Sequence, residues 1–347
     1  MAKHEVDVTT GIIFRTVLIL AGILFLYLIL DILALLFIAV IIASAMNPAI
    51  DWMERKKVPR TAGVLILYLL LLLVIGAAIF FVGPSIAAQA GDFYQKLPQY
   101  LEGVQNSINS LRDAFSAKNI NFNYQSFQSS VDGVVSNLPS NIFFGTIGIF
   151  SGLISGVIAL SLAFYMSIER DGIKKFVAML VPESHKKYAI SLVERIQSKI
   201  GKWLLGQLLL MLIIFVLDSV GLYIIGVPYP LILGAFAGLM EVIAYIGPII
   251  SAVPGIILGF FISPTIGFLA MLVYLVAQQL EGNIIVPQIM KKAVGLNPIA
   301  VIMALLIGAK LGGVLGAILA IPIATAIGLF LSDIMNRQKE AEGAEGL

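Results

Sequence analysis

Between Trp203 and Met290 the chain carries three carboxylates, Asp218, Glu241 and Glu281, and no Lys, Arg or His. Burial favours the neutral form of a carboxyl group, and a nearby cation favours the charged form. An acid-only set in apolar surroundings therefore suits a proton, Na+ or Li+, which take hard oxygen ligands, and does not suit an anion. Asp218 and Glu241 are the candidates for holding Na+. Lys310 is the one basic residue between Ala293 and Met335, and it is a candidate partner that would lower the cost of burying one of the acids. Each acid also has an ordinary reading. Asp218 falls about 12 Å inside the end of its apolar run, a depth equally suited to structural pairing. Glu281, in QQLEGNIIVPQ near the cytoplasmic side, reads first as a capping or interface residue. Glu241 has the strongest functional reading, because of where it sits.

Glu241 lies in PYPLILGAFAGLMEVIAYIGPIISAVPGIILGFFI, a nearly wholly apolar stretch crowded with Pro and Gly. Helix breakers in an apolar segment imply interrupted helices, which survive at membrane depth only when buried in protein or lining a water-filled cavity. An ionisable residue there is a functional candidate by default. A second stretch, PIAVIMALLIGAKLGGVLGAILAIPIATAIGLFL, resembles the first. Pro230 and Pro254 are 24 residues apart, as are Pro298 and Pro322, and glycines follow the central charge in both. Corresponding interrupted segments point to a transporter binding site. Tyr245, Gly247, Pro248, Asn283 and Asn297 complete the candidate substrate or ion site.

The 347 residues are 59% hydrophobic, with a mean hydropathy of +1.00. Such a chain is a polytopic membrane protein. Its apolar runs are continuous and long enough for helices, where a barrel would show short alternating strands. They cover Ile12–Leu30, Ile32–Met46, Ala62–Val82, Ile142–Ile168, Leu204–Val227, Leu231–Ile262, Ile266–Ala277 and Ile299–Leu331. The run through Asp31 reads either as one long tilted helix or as two with an exposed turn at Asp31, and Asn47-Pro48 is expected to end a helix. A net charge of +2 points to no nucleic-acid partner, and the absence of Cys removes thiol chemistry and disulfides. His4 and His185 are the only histidines. No HExxH, GxSxG, P-loop or nucleotide fingerprint is present, so no catalytic residue and no cofactor is expected.

Lys and Arg set orientation. Arg55, Lys56, Lys57 and Arg60 place the loop before Ala62 inside. Residues 84–141 carry three basic residues against four acids and read as outside, whereas Glu169–Lys202 carries eight basic residues and returns inside. Lys291 and Lys292, and both termini, are also expected inside. Two full spans at 228–262 and 298–331 would put these lysines outside. Two re-entrant hairpins, entering from opposite sides, put them inside. The outer segment shows amphipathic stripes (Phe93, Leu97, Leu101, Val104, Ile108, then Tyr124, Phe127, Val131) broken near Pro98 and after Ala117. These stripes bury against the membrane helices, the lipid or another subunit, or form a small lid. Ser184–Lys202 reads as a helix running straight into the Leu204 span.

The expected fold is an all-α polytopic integral membrane protein. It has about eight membrane segments, two of them broken or re-entrant hairpins, and a small helical extracytoplasmic insertion. The divisions are 1–83, N-terminal membrane helices; 84–141, the extracytoplasmic helical segment; 142–168, a membrane helix; 169–202, a cytoplasmic amphipathic segment; 203–335, a transport core with two related hairpins; and 336–347, a disordered tail.

Several segments resemble the autoinducer-2 exporter family: LGAFAGLMEVIAYIGPIISAVPG, QQLEGNIIVPQIMKKAVGLNPIAVI, LIGAKLGGVLGAILAIPIA, AMNPAIDWMERKKVPRTAGVL, FVGPSIAAQ and FYMSIERDGIK. The likeness covers nearly the whole chain. It implies secondary transporters of prokaryotic inner membranes, usually counted as eight spans, assembled as pentamers, with an elevator-like movement of each transport part. It implies two kinds of cargo: the signal autoinducer-2, or Na+(Li+) exchanged for H+. Three functions are thus expected: export of a small polar solute coupled to protons or cations through Glu241 and Asp218; Na+(Li+)/H+ antiport on the same architecture; or a membrane scaffold that uses the outer helices. Interrupted helices with buried acids argue against a scaffold, which has no need of them.

Overall fold

The computed structural model describes residues 3–117, 155–290, 295, 297 and 298–345. The calls on residues 118–154, including the second amphipathic stripe and the first half of the Ile142–Ile168 run, lie outside the described residues. Those described are helical, and no strand occurs among them. Five helices are long and apolar enough to cross a membrane: Leu30–Arg55, Arg60–Lys96, Glu183–Ile224, Pro264–Met290 and Pro298–Asn336.

Helix α1 (Lys3–Leu28) leads into α2 (Leu30–Arg55) through a kink at Ile29. Ile29 N donates to Phe25 O and Leu33 N to Ile29 O, so the chain bends there without reversing. Asp31 is exposed just beyond it. Two expected helix ends are absent. Pro48 lies inside α2, and Pro84 and Pro98 lie inside α3 (Arg60–Ala117). Proline removes one backbone donor and crowds the preceding turn, and here the flanking helix formers carry the helix past it. At 58 residues, α3 is about 87 Å long, far more than the ~30 Å of hydrocarbon. The C-terminal tail differs too: α11 (Pro298–Glu345) continues as a helix to Glu345, because its Lys, Glu and Ala are strong helix formers.

Helices α2, α3 and α4 (Ser155–Ile168) share a core of Ala39, Ala43, Ile50, Val64, Tyr68 and Ala163. Its polar end is held by Arg60, which donates to Asp51 Oδ1 (2.8 Å), Asn47 Oδ1 (3.2 Å) and Ser167 O (2.8 Å). Helix α5 (Gly172–Leu180) is tied to α6 (Glu183–Ile224) by Lys174 and Glu194 at 2.7 Å, a bond that holds the lysine above its ordinary pKa. Helix α6 runs unbroken from the polar segment into the apolar one, as its sequence stripe predicts. Ile200 and Trp203 on that stripe pack with Ile41, Leu319 and Ile321.

Helices α7 (Pro230–Met240) and α8 (Gly247–Ile262) form a helical hairpin. Both of its ends return to one stretch of α3. Tyr229 Oη donates to Asp92 Oδ2 at 2.9 Å, Ile232 N donates to Gln89 Oε1 at 3.2 Å, and Phe261 stacks on Tyr100 with ring centroids 5.9 Å apart. Tyr229 (φ 60) and Tyr245 (φ 66) adopt left-handed backbone before α7 and at the tip, a conformation that costs free energy for residues other than Gly. Helix α9 (Pro264–Leu280) runs through a π-helical turn (Glu281–Ile285) into α10 (Val286–Met290).

Helix α11 also doubles back. Gly312 (φ −132) and Gly313 (φ 58) break it, and a Cβ on Gly316 would fall 2.0 Å from Gly308 O. In a straight helix those two residues would stand about 12 Å apart. The arms 298–311 and 314–345 therefore touch backbone to backbone below the break. Ile243 and Ala244, at the tip of the α7–α8 hairpin, pack against Leu305, Ala317 and Ala320 of these arms.

Candidate functional site

The buried face of α6 repeats as Trp203, Gln207, Leu210, Ile214, Asp218 and Leu222, the three- and four-residue steps of one helical stripe. That of α9 repeats as Gly267, Ala270, Tyr274 and Ala277, and Glu281 continues it into the π turn. Each stripe is a core stripe with polar residues set into it. Helix α7 reaches α6 closely enough that a Cβ on Gly238 would lie 2.6 Å from Met211 O. Its last turn delivers Glu241 to the same interior, and Gln207 Nε2 donates to Glu241 O at 2.9 Å.

The three acids meet there. Asp218 and Glu241 are each 2% exposed and Glu281 is 9% exposed. The Glu241 and Glu281 carboxyls lie within hydrogen-bonding reach, and Asp218 is an electrostatic neighbour of both. Two carboxyl groups hydrogen-bond only with a proton on one of them. Asp218 Oδ1, Glu241 Oε2, Ser219 Oγ and Tyr274 Oη are buried without a hydrogen-bond partner. Buried polar atoms are ordinarily paired, so the orphaned oxygens of Asp218, Glu241 and Tyr274 make this interior the candidate site. Among the described residues no group of three or more Asp, Glu, His or Cys side chains is arranged to hold a metal ion together.

The other candidates fall elsewhere. Lys310 is exposed beside the break of α11. Among the described residues no ion pair joins it to Asp218, Glu241 or Glu281, so the expected pairing is absent. The doubled-back arm turns its last residues outward, and the charge goes with them. Gly247 is buried in the hairpin turn, where a Cβ would meet Met240 O at 1.9 Å, and Pro248 O accepts from Ser251 Oγ at 3.0 Å. Both shape the turn that carries Glu241. Tyr245 is exposed at the tip. Asn283 is exposed and donates to Gln279 Oε1, and Asn297 Oδ1 caps α11 by accepting from Ile299 N. Glu281 departs from its first reading: it is buried with Glu241, not placed at an interface. Gln207 and Tyr274 were not among the expected site residues, although each shares a helical stripe with an acid that was.

The family model for AI-2E family transporters matches residues 13–336. Among relatives, "Putative transport protein YrrI" of Bacillus subtilis (strain 168) is 30% identical over 84% of this chain and 83% of its own length. "Putative transport protein YueF" of the same organism is 29% identical over 86% and 83%. A Halobacillus andaensis protein named "Sodium-lithium/proton antiporter" is 26% identical over 87% and 91%. The family match takes in every element that builds the acid cluster, and the chain belongs to the AI-2E family of transporters.

Proposed function

We propose that the protein is a secondary transporter that exchanges Na+ or Li+ for protons at Asp218, Glu241 and Glu281. The observation that carries this reading is the acid cluster itself: three buried carboxyls from three elements, with no cationic side chain among them. Together in an apolar interior they cannot all stay charged and unpaired. Protons neutralise them in one state and a bound cation does so in the other. Competition for the same oxygens is exchange. The relative named a sodium-lithium/proton antiporter supports the same cargo.

In this reading 203–335 is the transport core and 1–83 the supporting membrane helices, in a prokaryotic inner membrane with the C-terminus cytoplasmic. The two hairpins are re-entrant, entering from opposite sides, and the packing of the α7–α8 tip on the α11 arms supports their meeting at depth. A pentamer in which each core moves elevator-like completes it.

A second reading, export of a small polar solute such as autoinducer-2 driven by the same ion, is supported by the family match, whereas the groove of about 770 Å³ between α2 and α11 is lined mostly by apolar side chains and does not favour a polar cargo. Asp31 is the one charged residue in its lining. Purified protein in liposomes separates the two. A Li+ or Na+ gradient should move protons, read by an internal pH dye, with no added solute. Solute uptake without cation-driven proton movement would reject exchange.

A further inference from the structure

We propose that Tyr274 is a ligand of the transported cation, its phenol oxygen completing the coordination begun by Asp218 and setting the choice between Li+ and Na+. This rests on the exchange reading and names a residue that reading does not use.

Tyr274 is 8% exposed, and its hydroxyl has no hydrogen-bond partner. Its ring packs in an apolar cluster with Leu222, Leu233, Leu258 and Ala270. Phe would fill that space equally well and would avoid leaving a buried hydroxyl unpaired, which is unfavourable. The chain keeps the hydroxyl and makes room for it. A Cβ on Gly255 of α8 would fall 2.3 Å from the phenol oxygen, so only glycine lets α8 pass at that point.

The hydroxyl also stands in the right company. Asp218 is an electrostatic neighbour of both Tyr274 and Glu281. Tyr274 lies two turns before Glu281 on the buried stripe of α9, about 10 Å along the helix. Asp218 is thus the acid that the phenol adjoins, and a neutral phenol suits that place. Its O–H is left without a partner in the structure. With a cation on Asp218, the same oxygen turns a lone pair to the ion and adds no second negative charge. Small alkali ions differ in how closely oxygens must gather round them, so a ligand fixed by ring packing discriminates by size.

The test compares wild type, Tyr274→Phe and Asp218→Asn in liposomes, measuring the Li+ and Na+ concentrations that half-saturate proton movement. Losing one oxygen ligand to a cation should raise the half-saturating concentration about tenfold. The change should differ between the two ions, and the maximal rate should stay within about twofold of wild type on that same ground of an affinity effect. A second measurement needs no transport. Li+ and Na+ should raise the melting temperature of detergent-solubilised wild type by binding the folded state, and Tyr274→Phe should lose most of that rise while melting no lower without salt. Unchanged affinity and unchanged Li+/Na+ preference in Tyr274→Phe, beside loss of exchange in Asp218→Asn, overturns the role of Tyr274 and leaves the exchange reading standing. Wild type with neither cation-driven proton movement nor cation stabilisation overturns both.

Discussion

Glu241, which ends the first arm of one hairpin, and Glu281, which opens the π turn after α9, lie within hydrogen-bonding reach in the buried interior. A π turn adds a residue to the helical repeat and swings the side chains beyond it to a new face. The turn after α9 begins at Glu281, which still lies on the buried stripe and so faces Glu241.

The pair predicts a specific pattern of losses. Glu241→Gln and Glu281→Gln should each reduce cation-driven proton movement about tenfold or more, and the double variant should be little worse than the poorer single, because groups that act as a unit are not additive. Losses that multiply in the double variant would mean that the two glutamates act separately.

Arg60 should matter for stability and little for exchange. It is only 12% exposed and ties α2 and α4 to its own helix α3, but Asp51 is 41% exposed, so the pair is partly screened. Arg60→Met should lower stability by about 1–3 kcal/mol, seen as a melting temperature several degrees lower. Half-saturating cation concentrations in the surviving protein should match wild type.

The α11 break gives a paired prediction. Gly316→Val places methyls where Gly308 O already stands and should sharply reduce the yield of monodisperse protein. Gly312→Ala meets nothing within 4 Å at a φ open to any residue and should be tolerated. Equal yields would contradict the contact between the arms.

Topology is testable with single cysteines, since the chain has none. Gln99→Cys and Gln288→Cys, both exposed positions, should label from opposite sides of a sealed membrane if both hairpins are re-entrant. Labelling from the same side would remove that arrangement.

How far the sequence led depended on whether a feature was local. Pro230, Gly247 and Pro248 announce a broken apolar helix wherever it packs, and Gly312-Gly313 does the same in α11, so both breaks were legible, although Pro254 sits inside α8. Asp218 and Glu241 stood out because a lone carboxylate in an apolar run has few ordinary explanations. Glu281 was misjudged because its polar neighbours in QQLEGNIIVPQ suggested a cap or an interface, although it falls on the buried stripe of α9. Lys310 was misjudged because its direction depends on how the two α11 arms fold together. Pro48 and Pro98 looked like helix ends because their penalty of roughly 3 kcal/mol is local, while the flanking helix propensity and packing that outweigh it are spread over many residues. Gln207 and Tyr274 could have been found, since each falls at helical spacing on the stripe of an acid.

The most direct measurement is proton release on cation binding. Detergent-solubilised protein in weakly buffered solution, titrated with LiCl or NaCl against a choline chloride control, should release protons saturably as the cation displaces them from the carboxyl cluster. A variant combining Asp218→Asn, Glu241→Gln and Glu281→Gln should release none. Folded wild type that releases no protons, or a triple variant that releases as many as wild type, would contradict exchange at these three carboxyls.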